Sequence, residues 1–70
     1  MKVKELVNVI PDGQIIKIRD IIIDKTLFFD DRGFLESDSH LNEKEVLSVI
    51  SSIGAYDSSE NEDIIIMRVR

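Results

Sequence analysis

The amino-acid sequence predicts a small α+β domain, in which a mostly antiparallel sheet of three to five strands carries one or two short helices on one face. Three features predict it: an isoleucine-rich C-terminal strand, a helical stripe at the N-terminus, and helix-start signals in the middle of the chain. A strand that is apolar on both faces needs neighbours on both sides, and amphipathic helices need a sheet to cover. We expect a single domain over residues 1–70.

The C-terminal segment 63–70 is the predicted centre of the sheet. Its three consecutive isoleucines favour a strand, because β-branched side chains are stiff and fit a pleated surface. Ile65, Met67 and Val69 share one face, and the first half of the other face is also apolar. This pattern is typical of an interior strand rather than an edge strand.

The N-terminal segment has the pattern of a short helix. Val3, Leu6, Val7 and Ile10 follow the i, i+3, i+4, i+7 spacing of a helix with one buried face. Pro11 ends this helix, because the residue before a proline is pushed out of the α region. A helix this short is not stable alone, so we expect it to pack on the sheet.

Two further strands are predicted between this helix and the middle of the chain. Residues 14–19 and 26–29 form them, and the sequence leaves open whether the first continues past Asp20. Residues 30–33 then predict a hairpin loop, because Gly33 suits its left-handed position, and residues 34–36 form the returning strand.

The middle of the chain carries the signals of a helix start. Asn42 is a good N-cap, and Glu45 lies three residues on, where it completes a capping box. The apolar positions of this helix are Val46, Val49, Ile50 and Ile53. Gly54 suits its end. The β-branched content also fits a single turn leading into a strand over residues 49–56, and the sequence leaves both alternatives open.

The predicted core collects the inward-facing apolar residues of these elements. It comprises Val3, Leu6, Val7, Ile10, Ile16, Ile18, Leu27, Phe29, Val46, Val49, Ile50, Ile65, Met67 and Val69. A chain of this size buries only about 60% of its unfolded surface, and without cysteine it has no disulfide to stabilise it. Oligomerisation remains, and our hypothesis is a homodimer formed through an exposed strand edge or sheet face.

Acidic residues are concentrated in the second half of the chain. Residues 30–63 contain ten acidic and two basic residues, which disfavours direct nucleic-acid binding. If these carboxylates converge, they form a surface for a protein partner with a basic surface; if they are spread evenly, they keep the protein soluble. The candidate partner surface is Asp30, Asp31, Glu36, Asp38, Glu43, Glu45, Asp57, Glu60 and Glu62.

The sequence lacks the motifs of catalysis and of metal binding. His40 is the only histidine, and no serine lies in a nucleophile elbow. Residues 57–68 begin like a calcium loop but have Glu62 and Arg68 where such a loop needs Gly and Glu. We therefore expect a protein that is not an enzyme and has no catalytic residues, metal or cofactor.

The chain also resembles small acidic proteins encoded by bacteriophages and prophages. The segments that carry the resemblance are residues 2–6, 14–19, 30–33, 42–50 and 63–69. It implies a cytoplasmic accessory protein that binds and blocks a host factor. The chain lacks an apolar run of the roughly 20 residues needed to cross a membrane, which agrees with that location. Our first hypothesis is a non-catalytic protein-binding or inhibitory accessory protein, and the alternative is a structural or self-assembling subunit of a larger complex.

Overall fold

The computed structural model describes residues 1–55 and 61–70 and contains a four-stranded sheet with short helical segments. In chain order the elements are helix α1 (Val3–Val7), strands β1 (Ile15–Asp20) and β2 (Lys25–Asp31), two 3₁₀ helices (Arg32–Phe34 and His40–Glu43), and strands β3 (Val46–Ala55) and β4 (Asn61–Val69). The sheet order is β2-β1-β4-β3. The central strands β1 and β4 are parallel, whereas β2 and β3 pair antiparallel with their neighbours. The predicted α+β architecture is confirmed, with a mixed sheet.

The C-terminal strand is interior, as its sequence predicts. β4 lies between β1 and β3, and it pairs with β1 so that Ile16 is beside Ile65 and Ile18 beside Met67. These side chains share the face that α1 covers. The buried cluster on this face comprises Val3, Val7, Ile10, Ile16, Ile18, Leu35, Leu41, Met67 and Val69. The two-faced apolar pattern therefore identified the strand on which the core is built.

The N-terminal helix is shorter than the spacing predicts. α1 ends at Val7, and the amides of Val9 and Ile10 then donate to the carbonyls three residues earlier, at 3.0 and 3.3 Å. These tighter turns bring the chain to Pro11. Ile10 is still buried, whereas Val9 is exposed. The helical spacing therefore predicted the buried positions correctly, although the last of them lies outside the α-helix.

The first strand ends at Asp20. Residues 21–24 form a turn in which Ile22 and Ile23 are exposed. Asp20 is buried, and its Oδ1 accepts hydrogen bonds from the amides of these two isoleucines at 2.9 and 3.2 Å. The carboxylate thus fixes the start of the turn, which resolves the alternative that the sequence left open.

The predicted hairpin over residues 30–36 is wrong. Asp30 and Asp31 belong to β2, and a 3₁₀ helix follows instead of a returning strand. The Oδ1 atom of Asp31 accepts from the amides of Gly33 at 2.8 Å and Gly13 at 2.9 Å. Because this carboxylate caps the 3₁₀ helix and ties it to the loop before β1, the chain turns away from the sheet. Leu35 is then buried in the core.

The predicted helix from Asn42 to Gly54 is also wrong, and the turn-then-strand alternative describes this region. Ser39 caps the second 3₁₀ helix by accepting from the amide of Leu41 at 3.2 Å. Asn42 is buried, and its Nδ2 donates to the carbonyls of Glu36 and Ser37 at 3.0 and 3.1 Å, so it caps no helix. β3 then pairs along β4. Residue 56, the end of the predicted segment, lies outside the described residues.

The change from helix to strand also alters the core. Val49 and Ile50 are exposed on the edge strand, so their place in the predicted core is wrong. Phe29 is half-buried beside Lys17, on the face opposite the main cluster. Leu35 and Leu41 belong to the core, and the prediction missed both.

Candidate interaction site

The predicted acidic surface divides into carboxylates with local structural roles and a smaller remainder. Asp57 and Glu60 lie outside the described residues, and only the backbone of Glu62, in β4, is described. Asp31 caps the first 3₁₀ helix. Its carboxylate accepts hydrogen bonds from the amides of Gly13 and Gly33, and these hold the pKa of Asp31 below its ordinary value. Asp30 accepts from the amide of Asp31 at 2.7 Å.

Glu43 and Glu45 pair with the N-terminal segment. The two oxygens of Glu43 lie 2.7 Å from Lys2 Nζ and 3.2 Å from Lys4 Nζ. The hydrogen bond from Lys2 makes the largest contribution to lowering the pKa of Glu43, and the hydrogen bond from Lys4 is next. The contact between Lys2 and Glu43 also raises the pKa of Lys2. Glu45 lies 3.5 Å from the N-terminal amine of Met1. These carboxylates are neutralised within the chain.

The two remaining carboxylates of the predicted acidic surface, Glu36 and Asp38, line one groove. The groove has a volume of about 500 Å³, is open to solvent, and is also lined by Phe28, Phe34 and His40. Phe34 is 71% exposed, an unusual position for a large aromatic side chain. Within the described part of the chain, neither carboxylate forms an ion pair. The groove therefore combines aromatic surface with negative charge, which suits a cationic side chain.

The edge strand β3 is a second candidate surface. It spans ten residues without a charged residue or a proline. Its exposed apolar side chains are Leu47, Val49, Ile50 and Ile53. Natural sheets protect their edges with charges, prolines, bulges or short strands, because an unpaired edge is a template for another strand. Beyond its register shift between Val46 and Ser48, β3 has none of these protections.

The opposite edge of the sheet shows the usual protection. β2 begins at Lys25 and ends at Asp30 and Asp31, so charged residues lie at both of its ends. Its pairing with β1 also contains a register shift between Ile18 and Arg19. The two edges therefore differ in chemistry, and β3 is the edge suited to accept a strand.

The N-terminus occupies the first part of the outer edge of β3. The amide of Val46 donates to the carbonyl of Met1 at 2.8 Å, while the carbonyl of Glu45 accepts from Arg70 at 3.1 Å on the β4 side. Lys2 forms an antiparallel bridge with Glu45. From residue 47 onward, no segment in the described ranges 1–55 and 61–70 pairs with the outer edge. Residues 47–55 are therefore the part of this edge that the rest of the described chain leaves accessible.

The sequence left a helix and a strand over residues 49–56 both open, so it did not identify this edge. One signal in the sequence points to it: the nine residues from Val46 to Gly54 are Val, Leu, Ile, Ser and Gly. Such residues fit a strand, and the lack of charge is abnormal for a solvent-facing one.

The described residues contain no group of three or more His, Asp or Glu side chains placed to hold a metal ion. No described helix has the length and apolar composition needed to cross a membrane. Comparison with known proteins gives no match to a protein family, to a curated protein or to a solved structure.

Proposed function

We propose that this chain is a non-catalytic interaction protein that binds its partner by adding a strand to residues 47–55 of β3. The observation that carries the proposal is the long, uncharged and accessible outer edge of that strand. An added strand gains backbone hydrogen bonds along the edge, and the exposed apolar side chains of β3 supply contacts on both faces. The two roles expected from the sequence are a protein-binding accessory protein and a self-assembling subunit. Either role needs a surface that binds another chain, and the outer edge of β3 is suited to that.

A peptide with the sequence of residues 46–55, flanked by lysines for solubility, tests the proposal. Fluorescence anisotropy of the labelled peptide with the full chain should show binding, and hydrogen exchange should show slower exchange of β3 amides in the complex. The control peptide carries proline in place of Val49 and Ser51, which removes two donors and the strand conformation. Equal binding of both peptides would reject strand addition.

Ile53→Lys tests the site on the protein, because a lysine at a strand edge blocks pairing. Ile53 is 71% exposed, so its replacement removes little buried surface. Ile22→Lys is the matched control: Ile22 is 72% exposed, lies in the β1–β2 turn, and undergoes the same change of charge. We expect Ile53→Lys to weaken peptide binding at least tenfold and Ile22→Lys to leave it unchanged.

The groove supports a second candidate function, the binding of a lysine or arginine side chain of a basic partner. Glu36 and Asp38 supply the charge, and Phe34 supplies an exposed aromatic ring for the cation. Binding of an oligolysine peptide should then weaken steeply with salt, since exposed charges are screened. The double variant Glu36→Gln/Asp38→Asn should weaken it, whereas Glu43→Gln, whose carboxylate is already paired, should not. The proline control peptide, which carries the same flanking lysines, separates strand addition at β3 from binding in the groove, because only strand addition requires the strand conformation.

A further inference from the structure

We infer that a second copy of this chain occupies the outer edge of β3, pairing antiparallel about a twofold axis that passes through Ser51. The inference rests on the proposed strand addition and names its partner. It follows from three properties of the described residues: the limits of the accessible edge, the pattern of side chains along it, and the distribution of charge.

The limits of the edge locate the axis. The N-terminus pairs at Val46, so within the described residues the accessible edge runs over residues 47–55, and the middle residue of this stretch is Ser51. In an antiparallel pair, residues directly opposite each other point to the same face. A twofold axis that pairs a strand with its own copy must therefore pass through a residue rather than between two. Ser51 satisfies both conditions.

This axis brings three of the four exposed apolar side chains of β3 together: Val49, Ile50 and Ile53. Val49 lies opposite Ile53 of the second copy, and the symmetry makes this contact twice. Ile50 lies opposite Ser52 of the second copy and diagonal to its Ile50, at about 7–8 Å, which is within reach of a long side chain. Each of the three apolar residues is at least 45% exposed in the single chain. One pairing therefore covers all three.

The charge distribution permits a copy to approach. The chain has a net charge of −5, so two copies repel over most orientations. Residues 46–55 contain no charged group, and the β3 register leaves no like charges opposite each other between residues 49 and 53 of the two copies. The only closed arrangement with this edge used on both copies is a symmetric dimer.

The oligomeric state is the first test. Light scattering of the full chain over an approximately hundredfold dilution should show a mass of twice 8.0 kDa that falls on dilution. Ile53→Lys should be monomeric at every concentration, and Ile22→Lys should dimerise as the wild type does. A wild-type mass that stays at 8.0 kDa overturns the inference, as does an Ile53→Lys variant that remains dimeric.

Cysteine variants then test the axis, and the chain is suited to them because it has no cysteine of its own. In the proposed dimer the two copies of residue 51 face each other, within the separation that a disulfide spans. Two copies of residue 48 are offset by six residues of strand, roughly 20 Å. Under mild oxidant, Ser51→Cys should give a covalent dimer and Ser48→Cys should not. Equal cross-linking of both variants, or efficient cross-linking of Ser48→Cys alone, overturns the axis.

The two proposals fail in different ways. If the wild type is monomeric but the peptide of residues 46–55 still binds and Ile53→Lys still weakens it, strand addition holds and the second copy is not the partner. Both proposals are rejected if the wild type dimerises, the Ile53→Lys variant dimerises equally well, and the proline control peptide binds as tightly as the unmodified peptide. The dimer then uses another surface.

Discussion

The carboxylate of Asp20 joins the end of β1 to the segment that leads into β3. Its Oδ2 lies 3.3 Å from Lys44 Nζ, and its Oδ1 caps the turn after β1. Among the residues whose burial is described, Asp20 is one of two buried polar side chains. A buried carboxylate is stable only when its oxygens have partners, and here the partners come from segments more than twenty residues apart. This residue therefore couples the two halves of the sheet.

Asp20→Asn should lower the melting temperature. The amide retains the acceptor that faces the turn, but it places an NH₂ group beside the ammonium of Lys44, so two donors meet in a partly buried site. Asp24→Asn is the control, since Asp24 is 85% exposed and pairs with Arg19 at the surface. Thermal unfolding followed by circular dichroism compares them. A loss no larger for Asp20→Asn than for Asp24→Asn would contradict the coupling role of Asp20.

The same carboxylate predicts how stability depends on pH. Hydrogen bonds from the amides of Ile23 and Ile22, followed by the contact with Lys44, hold the pKa of Asp20 below its ordinary value of 3.8. A pKa that is lower in the folded state than in the unfolded state contributes stability above the unfolded value, and this contribution is lost as the pH falls through the folded value. Asp31 and Glu43 shift in the same direction.

Melting temperatures should therefore be nearly constant above about pH 5 and fall steeply below about pH 4. The fall should be shallower for Asp20→Asn, which has no carboxylate to protonate at that position. The measurement is a series of thermal melts between pH 7 and pH 2 at constant ionic strength. Parallel curves for the wild type and Asp20→Asn would show that Asp20 does not contribute to acid unfolding.

The sequence predicted the centre of the sheet because the evidence for it is local. Residues 64–67 are apolar on both faces, a pattern that is typical of an interior strand. β3 shows the limit of such evidence. Val46, Val49, Ile50 and Ile53 fit the helical spacing, yet the segment pairs with β4, which lies further along the chain. A single sequence does not reveal that long-range partner, so tertiary pairing overrode the local helix signals.

The sequence shows which residues are acidic but not how they are arranged in the fold. The sequence identified Glu36 and Asp38 among nine acidic residues, but it did not separate them from Glu43 and Glu45. The lysines and the N-terminal amine that neutralise the latter pair lie about forty residues away in sequence, at contacts that only the fold creates. The edge of β3 was missed for the same reason, because its position in the sheet depends on strand order.

The backbone at Gly13 gives a third prediction. Its φ of +95° lies in the region that side chains rarely adopt, and no neighbouring atom lies within 4 Å of an added Cβ. Gly13→Ala should therefore destabilise the chain by about 1 kcal/mol through backbone strain alone. Denaturant unfolding measures this change. A stability equal to the wild type would mean that the loop before β1 relaxes to negative φ at no cost.

The last prediction concerns the core beneath α1. Ile18 is fully buried in the middle of β1, between β2 and β4, and it pairs with Phe28 on one side and Met67 on the other. Ile18→Ala removes three methyl or methylene carbons from a site enclosed by two strands and a helix, which limits relaxation of the cavity. The expected loss is about 2–5 kcal/mol.

That loss is a large part of the total for so small a domain, since about 0.05–0.15 kcal/mol per residue is typical. Ile22→Ala is the control, because the same carbons are removed from an exposed turn and the stability should change by less than about 0.5 kcal/mol. Urea unfolding of the wild type and both variants should show a lower midpoint for Ile18→Ala with an unchanged slope. If both variants unfold at the wild-type midpoint, Ile18 does not lie in the core between the sheet and α1.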